Sequence, residues 1–149
     1  MPGSWPPHEL PGLTDQNCHV TSPATTRYNC IAWAAESDTR WWWPDAMGIG
    51  YWPANIPRLE TSAAFVAAYG TLGYTLCFDG SLETGIEKIA LYAKGPAGIQ
   101  EPTHAARQLQ NGEWTSKMGT LEDASHDTPG DVEGPMYGSV LCYMSRRRR

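Results

Sequence analysis

The four residues Gln110-Asn111-Gly112-Glu113 lie between two runs that read as strands, residues 103–109 and 114–118. Asn-Gly tolerates the positive φ angles of a tight turn, so the segment is a strong hairpin signal. An antiparallel pair therefore anchors the second half of the chain. With a two-residue turn, His104 faces Gly119 and shares its sheet face with Thr115 and Lys117. A one-residue bulge instead turns Ser116 onto that face.

The rest of the pattern is mixed. Residues 29–36 read as a short helix capped by Asn29 or Thr26, with Ala32, Ala34 and Ala35 allowing close packing on a sheet. A second helix opens at Glu60-Thr61-Ser62 and stops at Gly73. Residues 74–78, 87–94 and 139–144 read as further strands. The sum is α+β, with two helices in the N-terminal half followed by a mostly antiparallel sheet. Residues 1–27 read as an extended arm, residues 37–60 as an aromatic loop and residues 146–149 as a solvated basic tail. No second domain or internal repeat is visible, so residues 1–149 form one domain.

Charge narrows the function. The chain has 11 basic and 16 acidic residues, and four of the basic ones are Arg146 to Arg149. Without that tail the body is strongly acidic and repels phosphate backbones, which argues against nucleic-acid partners. No run approaches the length of a membrane span, and the first residues show neither a basic start nor an apolar stretch. A cytoplasmic protein with no membrane partner is expected, with signal-independent export left open. Cys18, Cys30, Cys77 and Cys142 are read as free thiols, because the chain is neither short nor cysteine-dense. Cys77 and Cys142 look like packing residues.

Cys30 and His104 carry the candidate chemistry. A thiol in the first turn of a helix is favoured as thiolate, and an imidazole beside it can act as its base. Cys30 is then the nucleophile and His104 the general base. Ser116, Asp123 or His126 is the group that orients His104. Tyr28, Asn29 or the aromatic loop completes an oxyanion hole, and Trp42, Trp43, Trp52, Arg107 and Lys117 shape a substrate cleft. His104, His126 and Asp123 are also conceivable metal ligands, but they lack regular ligand spacing, and no metal or other cofactor is expected.

Cysteine on a helix, histidine at a strand start and a third polar residue twelve positions later resemble papain-like peptidases of the NlpC and CHAP types. The resemblance implies a papain-like α+β fold, with N-terminal helices packed on a mostly antiparallel sheet, and hydrolysis of amide bonds. Their cysteine and histidine fall on Cys30 and His104. Ser116 takes the third place, where His, Asn or Gln is usual. Motifs at residues 28–34 (YNCIAWA), 41–44 (WWWP), 51–53 (YWP), 87–93 (EKIALYA), 103–108 (THAARQ) and 114–117 (WTSK) are more closely similar to an uncharacterised bacterial domain family. Two functions follow as expectations. The first is a cysteine hydrolase or acyl transferase acting on an amide or thioester, with a peptide or other amide as substrate. The second is a non-catalytic domain that binds a protein partner through its Trp-rich loop.

Overall fold

Strands dominate the computed structural model, which describes residues 2–149 and leaves Met1 outside. In chain order they are β1 (Cys18–Ser22), β2 (Thr75–Cys77), β3 (Ile86–Lys94), β4 (Glu101–Gln108), β5 (Trp114–Lys117), β6 (Asp123–His126) and β7 (Ser139–Arg147). They form a single sheet in the order β1-β6-β5-β4-β3-β7-β2, and every pairing is antiparallel. The helices α1 (Cys30–Ala34) and α2 (Ser62–Gly70) have five and nine residues.

The expected papain-like α+β fold, with N-terminal helices packed on a sheet, is therefore corrected. Only α2 reaches seven residues, and the chain is a mostly antiparallel seven-stranded sheet. The local reasons are visible. Pro44, Pro53 and Pro57 keep the segment between the helices irregular. Cys18–Ser22, read from sequence as part of the arm, is instead paired with Asp123–His126, which the sequence did not mark as a strand, at one side of the sheet. The C-terminal tail also departs from expectation, because β7 runs to Arg147 and Arg146 is buried.

Side-chain alternation gives the sheet two buried faces. On one face Ile89, Leu91, Ala105 and Met144 pack with Ile31, Phe65 and Tyr69 of the helices and with Trp42 and Trp52 of the aromatic loop. On the other, Ala90, Tyr92, Ala106 and Trp114 are covered by Trp5 and Leu10 of the arm and by Val132 and Tyr137. Ala105 and Ala106 at the centre keep both coverings close to the β4 backbone. Among the described residues, no helix is long and apolar enough to cross a membrane.

Two irregularities of β4 position the candidate site. The ladder to β5 pairs Arg107 with Thr115 and Gln108 with Trp114, and Leu109 N–H donates to the Glu113 carbonyl at 2.7 Å. The turn thus holds three residues, with Gly112 at φ 93°. This register places Ser116, not Thr115 or Lys117, on the face of His104. On the other side Tyr92 pairs with His104 and Ala93 with Pro102, so Thr103 is an extra, bulged residue.

Candidate active site

Helix α1 starts at Cys30 because Asn29 caps it: Asn29 Oδ1 accepts from Ala32 N–H at 3.1 Å. The same oxygen accepts from Trp42 N–H at 3.1 Å, and Asn29 Nδ2 donates to the Trp42 carbonyl at 2.7 Å. One side chain therefore fixes both the helix start and the aromatic loop. Cys30 is buried, and its Sγ donates to the carbonyl of the bulged Thr103 at 3.9 Å. The expectation of a thiol primed as thiolate is corrected. Burial pushes Cys30 up to about 11, although the N–H groups of Ala105 and Ile31 and the charge of Lys117 pull the other way. Five residues of helix do not outweigh desolvation. Cys30 rests as a thiol.

His104 is fully buried on the opposite face of β4, between Tyr92, with ring centroids 5.1 Å apart, and Tyr137, which stacks on it at 3.9 Å. Its Nε2 lies 3.0 Å from Ser116 Oγ, which lies 2.8 Å from His126 Nε2. His126 Nδ1 lies 2.8 Å from the Thr128 carbonyl. The protons in this chain follow from its far end. A carbonyl only accepts, so His126 Nδ1 carries hydrogen and its Nε2 is the acceptor for the Ser116 hydroxyl. Ser116 Oγ then accepts from His104 Nε2–H. His104 Nδ1 is left as a bare lone pair, buried and without a hydrogen-bond partner. Burial, reinforced by the neighbouring His126, holds His104 well below its ordinary value. His126 is lowered as well, by its own burial.

The structure thus brings together three of the predicted catalytic residues, His104, Ser116 and His126. Cys30 does not hydrogen-bond the imidazole, but its sulfur lies against the backbone on both sides of His104, at Thr103 O and Ala105 N–H. Tyr137 joins the two: it stacks on His104 and lines, with Asn29, Cys30, Trp41, Trp43, Thr103 and Gly119, a cavity of about 340 Å³.

Asp123 does not orient His104. It stands on the helix-bearing face and accepts hydrogen bonds from the Tyr28 and Thr21 hydroxyls. Tyr28, pushed up to about 12 by burial and by this carboxylate, stays protonated and is committed to it. Lys117 pairs in register with Asp123, donates to the carbonyls of Thr25 at 2.8 Å and Gly119 at 2.5 Å, and lies 4.9 Å from the centroid of the Tyr28 ring. Burial lowers Lys117, opposed by Asp123 and Cys30. Trp42 and Trp52 are buried packing residues, the latter edge-on to Phe65 at 4.9 Å. Arg107 lies over Trp33 and near Glu36, away from the cavity. Among the described residues no group of three His, Cys, Asp or Glu side chains is disposed to hold a metal ion, and His104 and Asp123 project from opposite faces.

Tyr137 and Thr103 escaped sequence reasoning, and Trp41 and Gly119 were not singled out as cleft residues. The bulge at Thr103 leaves no trace in hydropathy, and Tyr137 sits in a Gly-Pro-Met-Tyr-Gly loop with no motif of its own. A larger concavity of about 520 Å³, lined by Glu60, Thr61, Ser62, Ile99 and Glu101 among others, has no cysteine or histidine in its lining.

Comparison with curated proteins and with solved structures returns no match. A family model described as a domain of unknown function, DUF7689, matches residues 19–145, and the chain belongs to that family.

Proposed function

We propose that the protein is a cysteine hydrolase or acyl transferase acting on an amide or thioester, with Cys30 as nucleophile and His104 as base. One observation carries this reading: the Ser116–His126 chain holds His104 in the tautomer that leaves Nδ1 unprotonated and unpartnered beside the strand segment that holds the Cys30 sulfur. A buried polar atom without a partner costs free energy, so its retention is best understood by use.

The chemistry follows in order. Sγ and the His104 ring start on opposite faces of β4, so the step requires the bulge at Thr103 to shift and bring them together. His104 Nδ1 takes the thiol proton as sulfur attacks the carbonyl carbon, and returns it to the departing amine or thiol. The acyl group remains on Sγ as a thioester. Water, deprotonated by the same nitrogen, releases it as a carboxylic acid; an acceptor amine or alcohol in place of water makes the reaction a transfer.

The test is labelling of Cys30 by an amide-bearing chloromethyl ketone, followed by mass spectrometry with Cys77 as internal reference. Cys30 is expected to react at least about tenfold faster than Cys77, and Ser116→Ala and His104→Gln to slow it, the latter by about a hundredfold, the lower end of general-base contributions. Equal rates at the two thiols, or undiminished labelling in folded His104→Gln, overturn the assignment.

The alternative, a non-catalytic domain that binds a protein, draws support from Met47 and Ile49, which are 83% and 87% exposed at the tip of the aromatic loop. It does not draw it from the tryptophans, since Trp42 is buried and Trp41 and Trp43 are half-buried. Loss of a co-purifying partner in Met47→Glu/Ile49→Glu, with Cys30 labelling unchanged, supports this second reading.

A further inference from the structure

The cavity at Cys30 does not end at the sulfur. Trp41 and Trp43 form one wall of it and also line a second cavity of about 360 Å³, completed by Asp45, Met47, Ile49 and Gly50. The two therefore adjoin at the side chains of Trp41 and Trp43, with the thiol on the wall of the first. Each is within the size range of small-ligand sites.

The second cavity is built to be apolar. Its one acidic side chain, Asp45, is turned inward. Asp45 Oδ2 accepts from Ile49 N–H at 2.8 Å, and Oδ1 accepts from Gly50 N–H at 2.6 Å. Arg58 covers what remains, its Nη1 lying 3.5 Å from Asp45 Oδ1 and donating to the Asp45 carbonyl at 2.9 Å. These bonds hold Asp45 below the ordinary carboxylate range. Its charge is spent on closing the loop, and two indoles, a thioether and an isoleucine face the space.

The loop is also held in place. Trp43 N–H donates to the Tyr51 carbonyl at 3.0 Å and Tyr51 N–H to the Trp41 carbonyl at 2.8 Å, while Asn29 ties Trp42 to the start of α1. The position of the apolar cavity relative to Cys30 is therefore fixed by hydrogen bonds within the loop backbone and from the Asn29 side chain.

We infer that this second cavity is the acyl-side subsite of the same centre, and that the substrate carries an uncharged aliphatic chain of roughly six to ten carbons on its reacting carbonyl. The inference rests on the reading of Cys30 as nucleophile. The bond that breaks joins this acyl carbonyl to its amine or thiol partner, the acyl group passes to Sγ, and the leaving group takes the thiol proton through His104. An apolar chain is favoured because each methylene withdrawn from water contributes about 0.8 kcal/mol. A charged one would face no counter-ion.

The experiment separates the subsite from the catalysis. Binding of N-methylnonanamide, which carries octyl on its carbonyl, and of N-methylpropanamide, which carries ethyl there, to the intact protein is measured by calorimetry, which needs no reaction. The octyl compound is expected to bind at least tenfold more tightly, and Met47→Glu/Ile49→Glu to abolish that preference. Both residues are exposed, so the substitution does not threaten folding. In parallel, Cys30 labelling by 1-chlorodecan-2-one, which carries octyl on its carbonyl, is compared with that by chloroacetone, with at least a tenfold preference expected in the wild type and none in the variant. Equal binding of the two amides overturns the subsite whatever Cys30 does. A tenfold preference in binding, accompanied by no preference in labelling, overturns the placement of the acyl carbonyl at Cys30 while leaving an apolar pocket. Failure of the chloromethyl ketone test, with chain-length preference intact, counts against the catalytic reading alone.

Discussion

At the scale of single residues, the His104–Ser116–His126 chain makes stability depend on pH. Burial lowers both imidazoles below the ordinary 6.5, so the unfolded chain binds protons that the folded chain refuses. Between the two values stability must rise with pH. It is fully present above about pH 6.5 and is lost as pH falls, by up to about 1.4 kcal/mol per unit for each ring. Urea denaturation at pH 7.5 and 5.5 checks this. A drop of about 2 kcal/mol or more is expected in the wild type and a smaller one in His126→Gln; no change between the two pH values would sink the account. That His104 and Ser116 share a sheet face was legible from hairpin chemistry, provided the turn added one residue. The role of Tyr137 was not legible, because a stacking partner brought in from a distant loop leaves no local pattern. The thiol was legible by position and misjudged in ionisation: helix starts are visible in sequence, and burial is not.

Among the elements, α1 and the aromatic loop depend on Asn29 more than on each other's rings. Its side chain caps the helix and makes two hydrogen bonds to the Trp42 backbone. Asn29→Ala removes all three and leaves the Trp42 amide and carbonyl buried without partners. A cap alone is worth about 1 kcal/mol, and an orphaned buried group costs a further 1–3 kcal/mol. A loss of about 3 kcal/mol is therefore expected in urea denaturation, with faster proteolytic cutting between residues 41 and 52 under native conditions. A loss under about 0.5 kcal/mol would show that the loop is held by its aromatic packing alone. Elements with alternating or apolar sequence, such as Glu87 to Lys94, were readable. Strands β1 and β6 were not. Asp-Ala-Ser-His is polar at three of four positions yet buried throughout, with Asp123 accepting from the Thr21 and Tyr28 hydroxyls and His126 bonded to Ser116 and the Thr128 carbonyl. Hydropathy registers the side chain and not the partner that satisfies it.

The whole molecule is closed by a residue that its sequence presents as part of a tail. Arg146 is 8% exposed and lies between Glu87 on β3, at 2.6 Å from Nε to Oε1, and the Leu72 carbonyl past the end of α2, at 2.8 Å. Its guanidinium also covers Tyr74 at 4.4 Å. These contacts tie the C-terminal strand, a central strand and the longer helix into one body. Four consecutive arginines read as a solvated end because nothing in the run distinguishes the first from the last; only the β7 register, pairing Arg146 with Glu87, does so. Removing one partner of a buried pair typically costs about 3–5 kcal/mol, because the other charge is left desolvated. Arg148 Nη1, 3.5 Å from Glu87 Oε2, offsets part of that. Arg146→Met is therefore expected to cost about 3 kcal/mol in urea denaturation, and Arg146→Met combined with Glu87→Gln clearly less than that. Arg149→Ala, at an exposed position, should stay within about 0.5 kcal/mol of wild type. If Arg146→Met and Arg149→Ala prove equally mild, the last arginines do not hold the fold together and the tail is what its sequence first suggests.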